Sequence, residues 1–332
     1  MELVKRAPNL NGTPPIAVFD ASHGQANWAQ TGFSSRELHT NFAGLTEMLC
    51  RLGFHCRSTG RESLTGHLEA SRLLIIPPPT GRYDPRKERW RPEHSAHFTR
   101  EDVRAVLSFL RNGGRLLAFA YRFGDSFTQT NLRDLFTPLG CELNDDAVID
   151  IRALRQTHPL HLHFDTPAES LSPAWARCGV ARVCWRPVAT FTLAPGATAW
   201  PLAVSSGGRC LSFDRTLRRI CFESLPLAVA GHHGTGRFAL LGGPHVFESS
   251  PLGLLDHADN TRFLHNILAW LASDDAMQDD QCPSADAPEA SYGRELTCVE
   301  ARGEGERTIA SVERVLRQTG VLKALNRAKW MP

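Results

Sequence analysis

No apolar run in the 332 residues approaches the roughly 20 needed to cross a bilayer. The opening MELVKRAPNLNGTPP lacks the continuous apolar core of a secretory signal, so a cytoplasmic chain without membrane insertion is expected. Charge of one sign is scarce as well. Lys and Arg number 37 against 35 Asp and Glu, a formal net charge of +2. That balance supplies no general field to gather nucleic acid or an anionic membrane. There is no CxxC pair; the nine cysteines fall at 50, 56, 141, 178, 184, 210, 221, 282 and 298. An odd number in mostly apolar surroundings reads as buried thiols in a reducing compartment. Asn11-Gly12-Thr13 matches a glycosylation sequon, which means little without a secretory signal. What is present, 42% hydrophobic and 22% charged residues, suits a globular protein of one large domain or two ordinary ones.

The first half alternates two kinds of pattern. PIAVFDASHG (15–24), SRLLIIPPPTG (71–81) and RLLAFA (115–120) are short apolar runs ending in turn residues, as buried strands do. Between them lie RELHTNFAGLTEMLCRLG (36–53), with Leu38, Phe42, Leu45, Leu49 and Leu52 on one helical face, and FTREDVRAVLSFLRNGG (98–114). In the second of these Thr99 is placed to cap, Glu101 and Asp102 suit the positive end, and Gly113-Gly114 stop the helix. NLRDLFTPLG reads as a short helix and CELNDDAVIDI as an extended segment. Strand, helix, strand, helix, strand with buried apolar strands predicts a mostly parallel α/β sheet.

From about residue 150 the texture becomes β-rich. Residues 180–193, 199–206 and 218–223 look like strands, 229–248 like a β-hairpin and 259–272 like an amphipathic helix. Four regions are expected: an extension over 1–14, one α/β domain over 15–273, a polar flexible linker over 274–303, and a helical docking segment over 304–332. In the last, Ile309, Val312, Leu316 and Leu325 have the helical spacing of a partner-binding face, the alternative being a solvated tail.

Ligands meet a parallel sheet at the carboxyl ends of its strands. Those loops carry Asp20, Ser22, His23, Gln25, Tyr83, Tyr121, Arg122 and Asp125, a set suited to a polar or anionic ligand or to tying the loops together. His245 and Glu248, after a late strand, form a second polar pair with either a local structural or a general-base role. A nucleophile elbow wants Gly-x-Ser or Gly-x-Cys, and Ala120-Tyr121-Arg122-Phe123-Gly124 offers neither. Ser22 and His23, as chain neighbours, are not expected to aim at each other. Neither His158, His161 and His163 nor His94 and His97 have the companion carboxylate or thiolate spacing of a zinc site, so no metal and no cofactor is expected. Gly231-His-His-Gly234-Thr-Gly236 precedes a strand rather than a helix and reads as a hairpin turn.

Three stretches together resemble the GIFT domain of an intraflagellar-transport subunit and of a gliding-motility accessory protein: FDASHGQ (19–25), FTREDVRAVLSFLRNGGRLL (98–117) and DSFTQTNLRDLFTPLGCELNDDAVID (125–150). GGPHVFES followed by DNTRFLHNILAWL is similar to the end of that domain, so the resemblance spans roughly 15–273. It implies a flavodoxin-like, glutamine amidotransferase-like sheet flanked by helices, and a non-enzymatic role. In the amidotransferases a Cys occupies the elbow and a His-x-Glu pair follows late. Here Tyr121 or Arg122 stands at the Cys position and the late pair is spaced His245-x-x-Glu248.

The expected function is therefore a non-catalytic binding or scaffold subunit with a protein partner. Arg122 and Tyr121 would make charge-assisted and stacking contacts, unless Arg122 pairs with Asp125 or Asp20. Two alternatives stand beside it: a hydrolase or amidase using His23, Asp125, His245 and Glu248, and a carbohydrate-recognition domain if Trp28, Tyr83 and Trp90 line the site.

Overall fold

The computed structural model describes residues 14–23, 42–59, 63–78, 82–84, 89–91, 97–150, 162–165, 172–205, 210–214, 220–221, 223–248 and 253–273; of 82–84, 89–91, 150, 162–165, 211, 213 and 220 only the backbone is described. Strand β1 (Ile16–Phe19) leads through helix α1 (Ala43–Arg51) to β2 (His55–Ser58), and α2 (Thr65–Leu68) precedes β3 (Leu73–Ile76). A two-stranded ribbon, β4 (Arg82–Asp84) with β5 (Arg89–Arg91), separates β3 from α3 (Arg100–Arg111) and β6 (Arg115–Phe119). Beyond β6 come α4 (Gly124–Thr128), α5 (Arg133–Phe136), β7 (Cys141–Leu143), β8 (Asp146–Asp150) and β9 (Leu162–Asp165). The second half supplies α6 (Ala174–Arg177), β10 (Arg182–Trp185), β11 (Phe191–Leu193), β12 (Ala199–Val204), β13 (Cys210–Asp214), β14 (Ile220–Cys221), the hairpin β15 (Pro226–His233) and β16 (Gly236–Leu241), and α7 (Asn260–Ala272).

Seven strands form the central sheet in the order β12-β15-β16-β6-β3-β1-β2. The five from β16 to β2 are parallel, and β15 and β12 extend them antiparallel. Counting only the parallel strands gives the order 2-1-3-4-5, the flavodoxin-like winding whose direction reverses between the first and third strands. This is a mixed α/β fold with a mostly parallel sheet, flanking helices and a strand-rich second half.

Strand alternation sorts the apolar residues into two layers. Ala17, Phe19, Leu73, Ile75, Leu117 and Phe119 face α1 and α7, where Leu45, Leu49, Phe263 and Ile267 cover them. Leu74, Ile76, Leu116, Ala118, Phe238 and Leu240 face α3 through Val106, Leu107 and Leu110. Helix α7 is held by polar bonds at its start. Asn260 exchanges bonds with the backbone of Cys184 and donates to Leu254 O, while Asp259 accepts from the N–H groups of Ala181 and Arg182.

The expected helix over 36–53 is described from Phe42 on, and Gly53 closes it at φ +86°. Cys50, Cys56, Cys141, Cys184, Cys210 and Cys221 are free thiols, but Cys178 is engaged in a disulfide, which departs from the expectation of reduced thiols throughout. Among the described residues no helix is long and apolar enough to cross a membrane. The sequon at Asn11, and the linker and docking segment with Ile309, Val312, Leu316 and Leu325, lie outside the described residues.

Candidate functional site

Parallel strands bring their carboxyl ends to one edge of the sheet, so the loops after β1, β3, β6 and β16 share that edge. The crevice of this winding lies between β1 and β3. Asp20 leaves β1 fully buried, and its carboxylate accepts from three groups of its own loop: Ser22 N at 3.0 Å, Ser22 Oγ at 2.6 Å and His23 Nδ1 at 2.7 Å. Since a carboxylate only accepts, Nδ1 carries the proton. The opposite nitrogen, Nε2, lies 3.5 Å from Asp102 Oδ2 on α3. Phe98 stacks on the ring, centroids 3.9 Å apart. Asp102 also closes a capping box, accepting from Thr99 N and Oγ1 while donating its own N–H to Thr99 Oγ1.

Two carboxylates about one imidazole set the electrostatics. Burial by itself pushes the His23 pKa down, but the bond to Asp20 and the charges of Asp20 and Asp102 outweigh it and hold it above the ordinary value. Burial would likewise raise Asp20, yet the His23 and Ser22 bonds leave it lowered. Ser22 and His23, not expected to meet, do so: Ser22 Oγ is 3.1 Å from Nδ1. Both aim at Asp20, however, so the hydroxyl donates to a carboxylate and Nε2 faces another carboxylate.

The β6 elbow is the second part of the edge. Phe123 sits at φ +65°, ψ +15°, a left-handed backbone that costs a non-glycine residue roughly 1–2 kcal/mol. Its N–H donates to Asp146 O at 2.6 Å. At Gly124, φ +47°, an added Cβ would stand 2.8 Å from Asn144 O and 2.9 Å from Asp145 Oδ1. The elbow therefore rests on the Asn144-Asp145-Asp146 stretch. Asp146 is itself buried and accepts from Thr190 N, Thr190 Oγ1 and Ser212 Oγ. Burial raises its pKa, and those bonds offset the rise only in part.

Asp125 is occupied inside its own loop, accepting from Leu132 N at 2.9 Å and Arg133 N at 2.8 Å. Tyr121 stacks on Phe127 at 5.5 Å and meets the edge of His245 at 5.9 Å; the Arg122 guanidinium stands 5.6 Å over the Tyr121 ring. His245, in a 3-10 turn after β16, donates from Nδ1 to Glu248 Oε2 at 2.8 Å. That pair is buried, His245 at 7% exposure and Glu248 at 0%. Gly242 lets this loop pass, because a Cβ there would collide with the backbone oxygen of Ala189.

The structure thus joins Asp20, Ser22 and His23 in one cluster and Tyr121, Arg122 and His245 with Glu248 in another. Strands β1 and β16 are three strand spacings apart, about 14 Å. Asp125 belongs to the support of the elbow. Tyr83 is opposite Trp90 in the β4–β5 register. Gln25, Trp28, His94, His158 and His161 lie outside the described residues, and of His163 only the backbone is described. Asp102 and Phe98 were legible only as helix-start residues; their contact with His23 joins loops 75 or more positions apart and had no local signal. Among the described residues no group of three His, Cys, Asp or Glu could hold a metal ion. Burial pushes the Cys141 and Cys184 thiols up to about 12, which keeps both protonated near neutral pH.

No protein-family model matches the chain, and no curated protein does. Among solved structures it is similar to the mmIFT52 N-terminal domain, at 20% identity and a TM-score of 0.57 over 78% of this chain and 98% of that one. The likeness is one of fold. A ThuA-like protein from Bacteroides uniformis aligns at 14% identity, with a TM-score of 0.46 over 82% of this chain and 97% of that one. A β-galactosidase from Rahnella sp. R3 aligns at 13% identity and a TM-score of 0.42, covering 78% of this chain and 31% of the enzyme.

Proposed function

We propose that this chain is a non-catalytic binding or scaffold subunit of a protein complex, built on a GIFT-type domain over 15–273. A polar site at the strand carboxyl ends would be centred on Tyr121, Arg122 and His245, with the Asp20–Ser22–His23 loop beside it. One observation carries the reading. The strained residue of the strand-to-helix elbow is Phe123, flanked by Arg122 and Gly124, so the position that presents a nucleophile in hydrolases of related architecture holds a phenyl ring. Two further features support it. Each histidine directs Nδ1 at a buried carboxylate, and the hydroxyl nearest His23 donates to Asp20. The likeness in fold to the mmIFT52 N-terminal domain agrees with the same reading.

In this proposal Arg122 supplies a planar, permanently charged fork for a carboxylate or phosphate, and Tyr121 supplies its stacking surface. The linker over 274–303 and the docking segment over 304–332 belong to the proposal as well, the latter engaging a partner through Ile309, Val312, Leu316 and Leu325. So does a cytoplasmic setting, which the free thiols fit and the Cys178 disulfide does not.

The test pairs affinity purification of the full chain with ester, amide and glutamine hydrolysis assays. A partner retained by the native chain, weakened by Arg122→Ala and absent after Tyr121→Ala/Arg122→Ala, is the expected result, with no hydrolysis above background. Hydrolysis abolished by His245→Ala or His23→Ala would replace the scaffold reading with the hydrolase one.

A further inference from the structure

Arg186, in the loop between β10 and β11, is a buried cation that the fold leaves without a partner. It is 9% exposed, and its Nε is sealed from solvent with no hydrogen bond. Among the described residues no hydrogen bond or ion pair reaches the rest of its guanidinium, whose terminal nitrogens still touch solvent. Buried polar groups are nearly always paired, and an unpaired charge in a poorly solvated place is costly. A long side chain usually avoids that cost by reaching out into water.

Here the backbone on both sides is fastened. Ahead of Arg186, Asn260 of α7 accepts from Cys184 N at 2.8 Å and donates to Cys184 O at 2.7 Å, and Trp185 Nε1 donates to Gly243 O at 3.1 Å. Behind it, Val188 O accepts from Val148 N of β8 at 2.9 Å, and Ala189 N donates to Gly242 O at 3.1 Å. The ring of Pro187 fixes φ between these anchors. Asn260 also donates to Leu254 O at 2.6 Å, and His257 N donates to the same oxygen at 3.0 Å. One asparagine thus ties the arginine loop to the loop that carries His257.

Two side chains feel the Arg186 charge and neither neutralises it. Burial pushes the Cys184 thiol up to about 12, with Arg186 pulling the other way. Desolvation lowers the His257 pKa, Asp256 opposes that, and the Arg186 charge adds to the lowering. Asp256 interacts with His257, and burial raises its own pKa. A protonated thiol and an imidazole biased toward its neutral form leave the positive charge standing.

We propose that Arg186 anchors a site for one oxyanion group, the phosphate or carboxylate of a small ligand, with His257 beside it. The planar fork is held in place before the ligand arrives and can donate to two of its oxygens. Access through so little exposed surface favours a small group over a protein face. Since Trp185 and Ala189 bond to Gly243 and Gly242, a bound anion would also brace the start of the loop that carries His245. The proposal does not depend on the reading of Tyr121 and Arg122.

Urea titrations of the full chain in inorganic phosphate, in acetate and in chloride, at matched ionic strength, test it. The expected result is a saturable rise of the native midpoint with phosphate or with acetate, and which of them acts identifies the ligand class. Arg186→Met should abolish the rise while leaving the midpoint in chloride unchanged or higher, because it replaces an unpaired buried charge by an apolar chain of similar length. Arg186→Lys, a point charge without the fork, should bind the anion about tenfold more weakly or worse. In the native chain the His257 ring, followed by NMR, should titrate at higher pH once the anion is bound, since the Arg186 charge is then offset. No saturable response in the native chain would overturn the proposal. So would a response that persists in Arg186→Met, or one that is kept there and lost in Arg122→Ala, which would move the oxyanion to the other arginine. A large loss of stability of Arg186→Met in chloride would assign the residue to the core and overturn it as well.

Discussion

The two histidine–carboxylate pairs differ more in their surroundings than in their bonds. Each spans three residues in a loop just past a parallel strand, and each places Nδ1 on a buried carboxylate, at 2.7 Å for His23–Asp20 and 2.8 Å for His245–Glu248. At His23 the ring is fastened on three sides, by Asp20, by Asp102 across the helix α3 start, and by Phe98 on its face. At His245 the ring meets the edge of Tyr121, which in turn carries Arg122. The first pair reads as a clasp between a strand end and a helix, the second as the rear wall of the proposed binding surface. Spacing along the chain gives a histidine its near partner; packing gives it a task.

The comparison can be broken by mutation. Glu248→Ala, which removes one partner of the buried His245–Glu248 pair, should cost about 3–5 kcal/mol in a urea titration. His23→Gln should cost about 2–4 kcal/mol, because Asp20 and Asp102 would lose the imidazole that lies between them. A His23 change with no effect on stability would remove the clasp reading.

Acidity sharpens the same contrast. His23 has a raised folded pKa, so its contribution is complete below the unfolded value of 6.5 and lost as pH rises through the folded value. Asp20 has a lowered one, so its contribution is present above 3.8 and lost as pH falls through its folded value. The clasp should thus contribute most between those two ordinary values. Urea midpoints measured from pH 5 to 9 should decline above 6.5 in the native protein, and that part of the decline should vanish in His23→Gln.

Thr99→Ala should cost about 1 kcal/mol, the ordinary loss for a helix cap, and somewhat more if Asp102 then swings away from His23. The smallest effect belongs to the elbow support. Exposed Gln129 lies at φ +54°, ψ +35°, and Gln129→Gly should be neutral or stabilising by about 0.5–1 kcal/mol in thermal melts. A clear loss there would mean that the side chain of Gln129 contributes to the site.

Sequence alone determined the pieces whose physics is local. The apolar runs 16–19, 73–76 and 115–119 had to be buried strands, Thr99 and Asp102 had to start a helix, and Gly53 and Gly113 had to end two, since propensity, capping and positive φ act within a few residues. That residues 120–124 hold neither Ser nor Cys was equally legible, because the elbow is five consecutive residues. The tertiary structure decided everything that depended on distant loops meeting. It put Asp102 against His23, gave Asp125 to the backbone of Leu132 and Arg133, gave the elbow its left-handed backbone at Phe123, and seated that elbow on Asn144–Asp146. The reason is that a carboxylate or an imidazole makes its bonds wherever packing leaves it. Which partner it finds is set by strand order and helix placement, and neither is written in the spacing of residues along the chain.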